Sequence, residues 1–462
     1  MSKGTGPDVL PSSFRDPEGF LYTNRGELYR QINLSGRDNY ESLMSSGLYR
    51  VLTEKGMMIP HEEVKAPSPA PRVLHKTLKP VRVPFISYPY EWSFGMLKDA
   101  ALLTLSLQKT ALKHQMSLKD CSAYNIQFLQ GKPVFIDTLS FEKLREGEPW
   151  AAYRQFCQHF LAPLALMALT DVRLGLLMRD WIDGIPLDLA SRLLPASSRL
   201  KPGLLTHIHL HAGTQKRYAD REITPNQGGM GLLALRGLVE SLESTVKKLN
   251  HEPAGTEWSD YYGDTNYTDE AMRDKQAAVA LFLDRAKPTS VWDLGANTGA
   301  FSRLASERGI PVLSLDVDPS AVEKNYRDVK ARGETLITPL LMDLSNPSPG
   351  LGWAGRERMS LTERGPADLI LALALIHHLA ISHNLPLGKI AAFLRDHCHH
   401  LIIEFIPKED SQIRRLMRVR KDIFSDYDEE SFRKEFGNYF HIREGRSLKE
   451  TGRTLYLMQR KK

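Results

Sequence analysis

The chain has 462 residues, 42% of them hydrophobic and 25% charged, with a net charge of +6 from 61 basic and 55 acidic side chains. That balance excludes a disordered polymer, and the length allows two or three ordinary domains. The mild positive charge permits an anionic partner without demanding nucleic acid.

Three scattered cysteines, Cys121, Cys157 and Cys398, support neither a disulfide framework nor a Cys-x-x-Cys metal site, so a cytoplasmic protein is expected. No apolar run approaches the ~20 residues of a membrane span. The start, "MSKGTGPDVLPSSFRDPEG", lacks the apolar centre of a secretory signal, and residues 1–18 are expected as a flexible tail.

An N-terminal domain is expected over 19–225. "GFLYTNRGELYRQI" (19–32) reads as two strands, "KAPSPAPR" (65–72) as an internal loop, and "MLKDAALLTLSLQKTALKHQ" (96–115) as a long helix. In "LKDCSAYNIQFLQGKPVFIDTLSFE" (118–142), Asp120 and Asn125 precede a strand, a turn at Gly131, a second strand and Asp137. "THIHLHA" (206–212) spaces His207, His209 and His211 as one face of a strand would. A metal centre there lacks a neighbouring Cys or acid cluster, so packed or surface histidines are the expectation.

Residues 226–256 read as a connector, with a helical pattern over 232–250. "HEPAGTEWSDYYGDTNY" (251–267) leads into a second domain at 257–462; its aromatics either close over a ligand or pack on a sheet. From 270 apolar strands alternate with amphipathic helices. The strands are "SVWDL", "PVLSLDVD", "LITPLLMDL", "ADLILALAL" and "HLIIEFI"; a helix and two closing strands follow over 431–462. This pattern predicts an α/β fold with a parallel, doubly wound sheet.

Such sheets bind ligands at the carboxyl ends of their strands, where the strand order reverses. "DLGANTG" (293–299) follows the first strand. Gly295 lets the chain turn and Gly299 lets the next helix pack closely, but Asn297 replaces the middle glycine of a dinucleotide loop and Asp293 would repel phosphate. A cationic or amino-bearing ligand fits better.

Here the sequence resembles the class I, Rossmann-like S-adenosylmethionine-dependent methyltransferases, over about 257–462. "DLGANTGAFS" is similar to their first motif. The resemblance implies a seven-stranded sheet and a cofactor held by Asp293, Gly295, Asn297 and Gly299. It implies further that Asp316 in "LSLDVDP" accepts from the ribose hydroxyls, with Asp318 as a substitute, and that Asp343 in "LLMDLSNP" meets the adenine amino group. His377 and His378, after the fourth strand, border the transferred methyl group; either is a candidate proton acceptor. Glu404 ends the fifth strand and is a candidate for binding the acceptor or for supporting those that do. No Asn-Pro-Pro-Tyr type motif of DNA base methylation is present. "QIRRLMRVRK" (412–421) would grip an anionic acceptor or form a solvated face.

The 118–142 hairpin resembles the catalytic hairpin of protein-kinase-like and aminoglycoside-phosphotransferase-like folds. The resemblance implies a candidate nucleotide–metal site, ATP–Mg, at Asp120, Asn125 and Asp137, with Arg30 where a kinase carries its lysine. The glycine-rich phosphate loop, the His before the first Asp and the Phe-Gly after the last one are absent, so a degenerate kinase-like module is expected. The leading expectation is a methyltransferase with an N-terminal domain for acceptor or nucleotide binding. A phosphotransferase fused to a methyltransferase, and a non-catalytic cofactor-binding scaffold, are the alternatives.

Overall fold

The structure is a computed structural model that describes residues 6–211, 230–253, 268–418 and 423–462. The aromatic lead-in over 257–267 and the last residues of the basic stretch, 419–421, lie outside the described residues. The chain forms two compact units: Met1–Glu252 with Gly350–Arg358, and Pro253–Pro349 with Met359–Lys462.

Unit 1 opens with an antiparallel five-stranded sheet of β1 (Asp8–Val9), β2 (Gly19–Asn24), β3 (Glu27–Asn33), β4 (His61–Val64) and β5 (Leu74–Pro80), in the order β1-β2-β3-β5-β4. The helices Arg37–Ser45 and Leu48–Glu54 connect β3 to β4. Ile32, Tyr40, Leu78 and Leu139 form a small core beneath this sheet. The long helix Phe94–Lys113 starts where Ser93 Oγ accepts from the Met96 N–H. It buries Leu97, Ala101, Leu105, Leu112 and their neighbours.

Two strand pairs follow: β6 (Met116–Leu118) with β9 (Phe141–Lys143), and β7 (Ile126–Leu129) with β8 (Lys132–Phe135). The β7–β8 turn uses Gln130 and Gly131, both with positive φ, which suits the twist of a tight hairpin.

The remainder of unit 1 is helical. His207 and His209 lie in a π-helical turn, Leu205–Leu210, which His211 follows directly in helical conformation, and none of the three is on a strand. Their rings meet hydroxyls: Tyr153 and Ser241 bond His207 (2.8 and 2.9 Å), while Ser191 and Ser198 bond His209 (2.8 and 2.9 Å). His211 stacks on Tyr153 at 5.1 Å.

The helix Leu232–Lys248 is more than the expected connector. Leu235, Val239, Leu242 and Val246 form its buried stripe, and Lys98 Nζ donates to Leu249 O at its end (2.6 Å). The segment Gly350–Arg358, expected within the second domain, folds with unit 1. Arg15 pairs there with the buried Glu357, and the Arg358 guanidinium lies 4.0 Å from the centre of the Tyr124 ring.

Unit 2 carries a seven-stranded sheet of β10 (Val291–Leu294), β11 (Val312–Asp316), β12 (Ile337–Leu341), β13 (Ala367–Ala372), β14 (Cys398–Phe405), β15 (Phe440–Ser447) and β16 (Thr454–Arg460). The order is β12-β11-β10-β13-β14-β16-β15. β10 to β14 run parallel, and β16 is antiparallel to both of its neighbours. The parallel strands are short and almost wholly apolar because helices cover both faces. Phe282, Val291, Phe301, Val312, Leu369, Leu371 and Ile402 join in one core. The chain first builds β10, β11 and β12 outward, then crosses back to place β13 on the other side of β10. The strand order therefore reverses at β10, and the carboxyl ends of β10, β11 and β13 lie side by side there, the edge at which such sheets bind ligands. Among the described residues, no helix is long and apolar enough to cross a membrane.

Candidate functional site

The loop after β10 follows from its backbone. Gly295, Asn297 and Gly299 have φ of +73°, +51° and +80°. Asparagine enters the left-handed region more readily than other residues with a Cβ, which explains how Asn297 replaces a glycine. Its Oδ1 accepts from the Thr298 N–H (2.8 Å), holding the turn locally. Gly299 caps the helix Ala300–Ser306.

The loop is tied to the next strand. Asp316, the last residue of β11, accepts from the Asn297 N–H (2.7 Å) through Oδ2 and from the Asp318 N–H (2.9 Å) through Oδ1. Burial raises its carboxyl to about 6, against the pull of these two hydrogen bonds. Asp343 follows β12 and is exposed, with Oδ1 accepting from the N–H and hydroxyl of Ser345. Val317, 59% exposed between two acids at this edge, is an apolar surface that the sequence reading missed. The signal available was a β-branched residue set directly after the ribose-type acid.

Two residues expected at the cofactor, Asp293 and Asp318, also bond the protein itself. Asp293 is buried, and its Oδ2 accepts from the Ser302 hydroxyl (2.7 Å), so it bonds the helix behind the loop. Burial, opposed by the Ser302 hydrogen bond and reinforced by Asp316, raises its carboxyl to about 7. Asp318 is also buried. It caps the helix Pro319–Arg332, its Oδ1 accepting from the Ser320 N–H (2.8 Å).

The histidine pair follows β13. His377 is 2% exposed, its ring centre 4.0 Å from that of His378, and its Nδ1 is buried with no hydrogen-bond partner among the described residues. Burial, then the charges of His378, Arg453 and Lys275, holds its imidazole well below the ordinary value. Burial and His383 lower His378 to about 4. Both rings are therefore neutral near pH 7.

Glu404 lies near the end of β14. It is fully buried, and its Oε2 accepts from Lys275 Nζ (2.7 Å) and from the Ala374 N–H (2.8 Å). These bonds are of the kind a supporting role would need. The basic stretch contributes the helix Ser411–Met417, on which only Ile413 is buried.

In unit 1, Asn125 Nδ2 donates to Ser140 Oγ (3.2 Å), Ser140 donates to Asp137 Oδ2, and Arg30 pairs with Asp137 Oδ1. Asp120 stands apart from this chain, accepting from the Ser122 N–H (2.9 Å) and from Gln155 Nε2 (2.8 Å). Ser140 and Arg30 thus engage one oxygen of Asp137 each.

Unit 2 thus combines a seven-stranded, mostly parallel sheet that has one reversed strand with a glycine loop bonded to the acid that ends the second strand. No protein-family model matches the chain. It is 34% identical over 463 residues to the nodulation protein NoeA of Rhizobium meliloti (strain 1021), covering 98% of this chain and 96% of that protein; the chain belongs to the NoeA family.

Likeness to solved structures is more distant. Magnesium protoporphyrin IX methyltransferase (ChlM) from Synechocystis PCC 6803, with bound SAH, is 19% identical over 44% of this chain and 93% of its own, at a TM-score of 0.31. The N-methyltransferase NodS from Bradyrhizobium japonicum WM9 is 14% identical over 42% of this chain and 98% of its own, also at 0.31. WbdD is 17% identical over 46% of each chain, at 0.30.

Proposed function

We propose that the protein is an S-adenosylmethionine-dependent methyltransferase, with its cofactor along the carboxyl edge of β10, β11 and β12. The observation that carries this reading is Asp316. A carboxylate at the end of the second strand is bonded to the N–H of Asn297 in a left-handed loop, beside exposed Val317 and with Asp343 at the end of the next strand. In this reading Asp316 accepts from the ribose hydroxyls, Val317 lies against the adenine, Asp343 accepts from its amino group, and the loop backbone lies along the amino-acid end. Asp293 acts from beneath the loop, as negative potential toward a cation.

The bound cofactor supplies a sulfonium methyl group that is displaced in line. Placement of the acceptor therefore dominates the rate. His377 and His378, kept neutral by burial and neighbouring charge, are the candidates to receive the acceptor's proton at an imidazole nitrogen. A part in nodulation, the word the NoeA relative carries, belongs to the same proposal. Calorimetry with S-adenosylmethionine tests the reading. Asp316→Ala should weaken binding about tenfold or more, ~1.4 kcal/mol; unchanged affinity would remove its support.

Unit 1 is read as a degenerate kinase-like module that serves acceptor binding. The strand order β1-β2-β3-β5-β4, the helices between β3 and β4, and the β6–β9 and β7–β8 pairs framing Asp120, Asn125 and Asp137 support this. A phosphotransferase role is disfavoured because the glycine-rich phosphate loop, the His before Asp120 and the Phe-Gly after Asp137 are absent from the sequence.

A further inference from the structure

Unit 2 contains a group of buried charges that cofactor binding does not use. Lys275 lies in the helix Asp269–Ala286, on the face that also buries Ala271, Ala278, Val279 and Phe282. Its side chain is 3% exposed, and its ammonium lies 2.7 Å from Glu404 Oε2 and 5.0 Å from the centre of the Phe301 ring. Arg453, 2% exposed, approaches the other oxygen of Glu404 at 3.5 Å and donates to Asp410 at 2.8 Å. Taking such charges out of water is unfavourable, and a buried ion pair is a poor way to gain stability compared with apolar packing. What this one does is hold backbone: Glu404 accepts from the N–H of Ala374, a non-glycine residue at φ +49°. Ala374 lies two residues after β13 and three before His377.

We propose that Lys275 is a positioning residue for the acceptor end of the site: through Glu404 it fixes the left-handed turn at Ala374 and thereby the placement of the His377 and His378 imidazoles. This rests on the reading of that turn as the acceptor side of a methyltransferase. Lys275 acts on the rings in two ways. It orients the turn, and its charge, with that of Arg453, adds to burial in opposing protonation of His377. His378 is opposed in turn by His383.

Ring carbon–proton NMR of the full chain, with His377 and His378 assigned through His→Gln variants, tests the proposal. In the wild type His377 should not titrate between about pH 5.5 and 8. In Lys275→Met the turn at Ala374 loses the cation that holds Glu404 in place, so the ring signals of both His377 and His378 should shift, and the lost charge should move the His377 titration upward. Lys275→Arg should restore the wild-type profile. S-adenosylmethionine affinity should stay within about threefold in both variants, less than ~1 kcal/mol. A folded Lys275→Met protein with both ring signals and their pH dependence unchanged overturns the proposal. If Lys275→Met does not fold, the double variant Lys275→Met/Glu404→Gln removes both charges. It should fold with displaced ring signals, and undisplaced signals would overturn the proposal equally. Failure of the wild type to bind S-adenosylmethionine would overturn the methyltransferase reading instead, a result separate from the ring titrations.

Discussion

Asn297 and Asp318 make opposite cases at the scale of single residues. Asn297 looks like a defect in a glycine loop, yet its φ of +51° is one that asparagine accepts. Replacement by glycine should leave S-adenosylmethionine binding intact. Replacement by valine should destabilise unit 2 by about 1–2 kcal/mol in chemical denaturation, because a branched side chain opposes that conformation. Asp318 looks like a ribose ligand, yet it is an N-cap. Asp318→Ala should lower stability by about 1 kcal/mol while leaving cofactor affinity nearly unchanged, the reverse of Asp316→Ala.

The two raised carboxyls add a pH dependence. Burial lifts Asp293 to about 7 and Asp316 to about 6, above their unfolded values near ~3.9. The fold therefore favours their protonated forms. Their contribution to stability is full below the unfolded value and is lost as pH rises through about 6 and 7. A cationic ligand gains from the ionised forms, so S-adenosylmethionine affinity should rise across the same window. Calorimetry on either side of it checks this, and Asp316→Asn should flatten the rise.

Legibility was uneven among the elements. The strands of unit 2 were readable because a parallel sheet covered on both faces demands short apolar runs, as in "SVWDL" and "HLIIEFI". The carboxyl-edge positions of Asp316 and Asp343 followed from those runs. Hydrogen-bond partners did not: nothing in the local sequence says that Asp293 bonds Ser302 or that Glu404 bonds Lys275, since those contacts join distant segments. Lys275 did leave a trace. It sits four residues after Ala271 and four before Val279, on the apolar stripe of its helix, where an unpartnered lysine would not be stable. The 207–211 stretch misled because five residues fit either period. In the helical turn His207 and His211, four apart, both meet Tyr153, a pairing that period two conceals.

At the scale of the molecule, the two units pose separate questions. In unit 1 the Arg30–Asp137–Ser140–Asn125 chain links β3 to the segment after the β7–β8 hairpin. Asp137→Ala would leave Arg30 without its carboxylate and should destabilise unit 1 by about 2 kcal/mol, measured by denaturation. The wild-type chain should show no calorimetric binding of ATP–Mg; saturable binding lost in Asp137→Ala would revive the phosphotransferase alternative. In unit 2 the central claim is that the carboxyl edge of β10 and β11 is a cofactor site. Titration of S-adenosylmethionine into the full chain, with the wild type and Asp316→Ala side by side, tests it most directly. Saturable one-site binding that Asp316→Ala weakens about tenfold or more is the predicted result. No binding, or equal affinity in the two proteins, would contradict it.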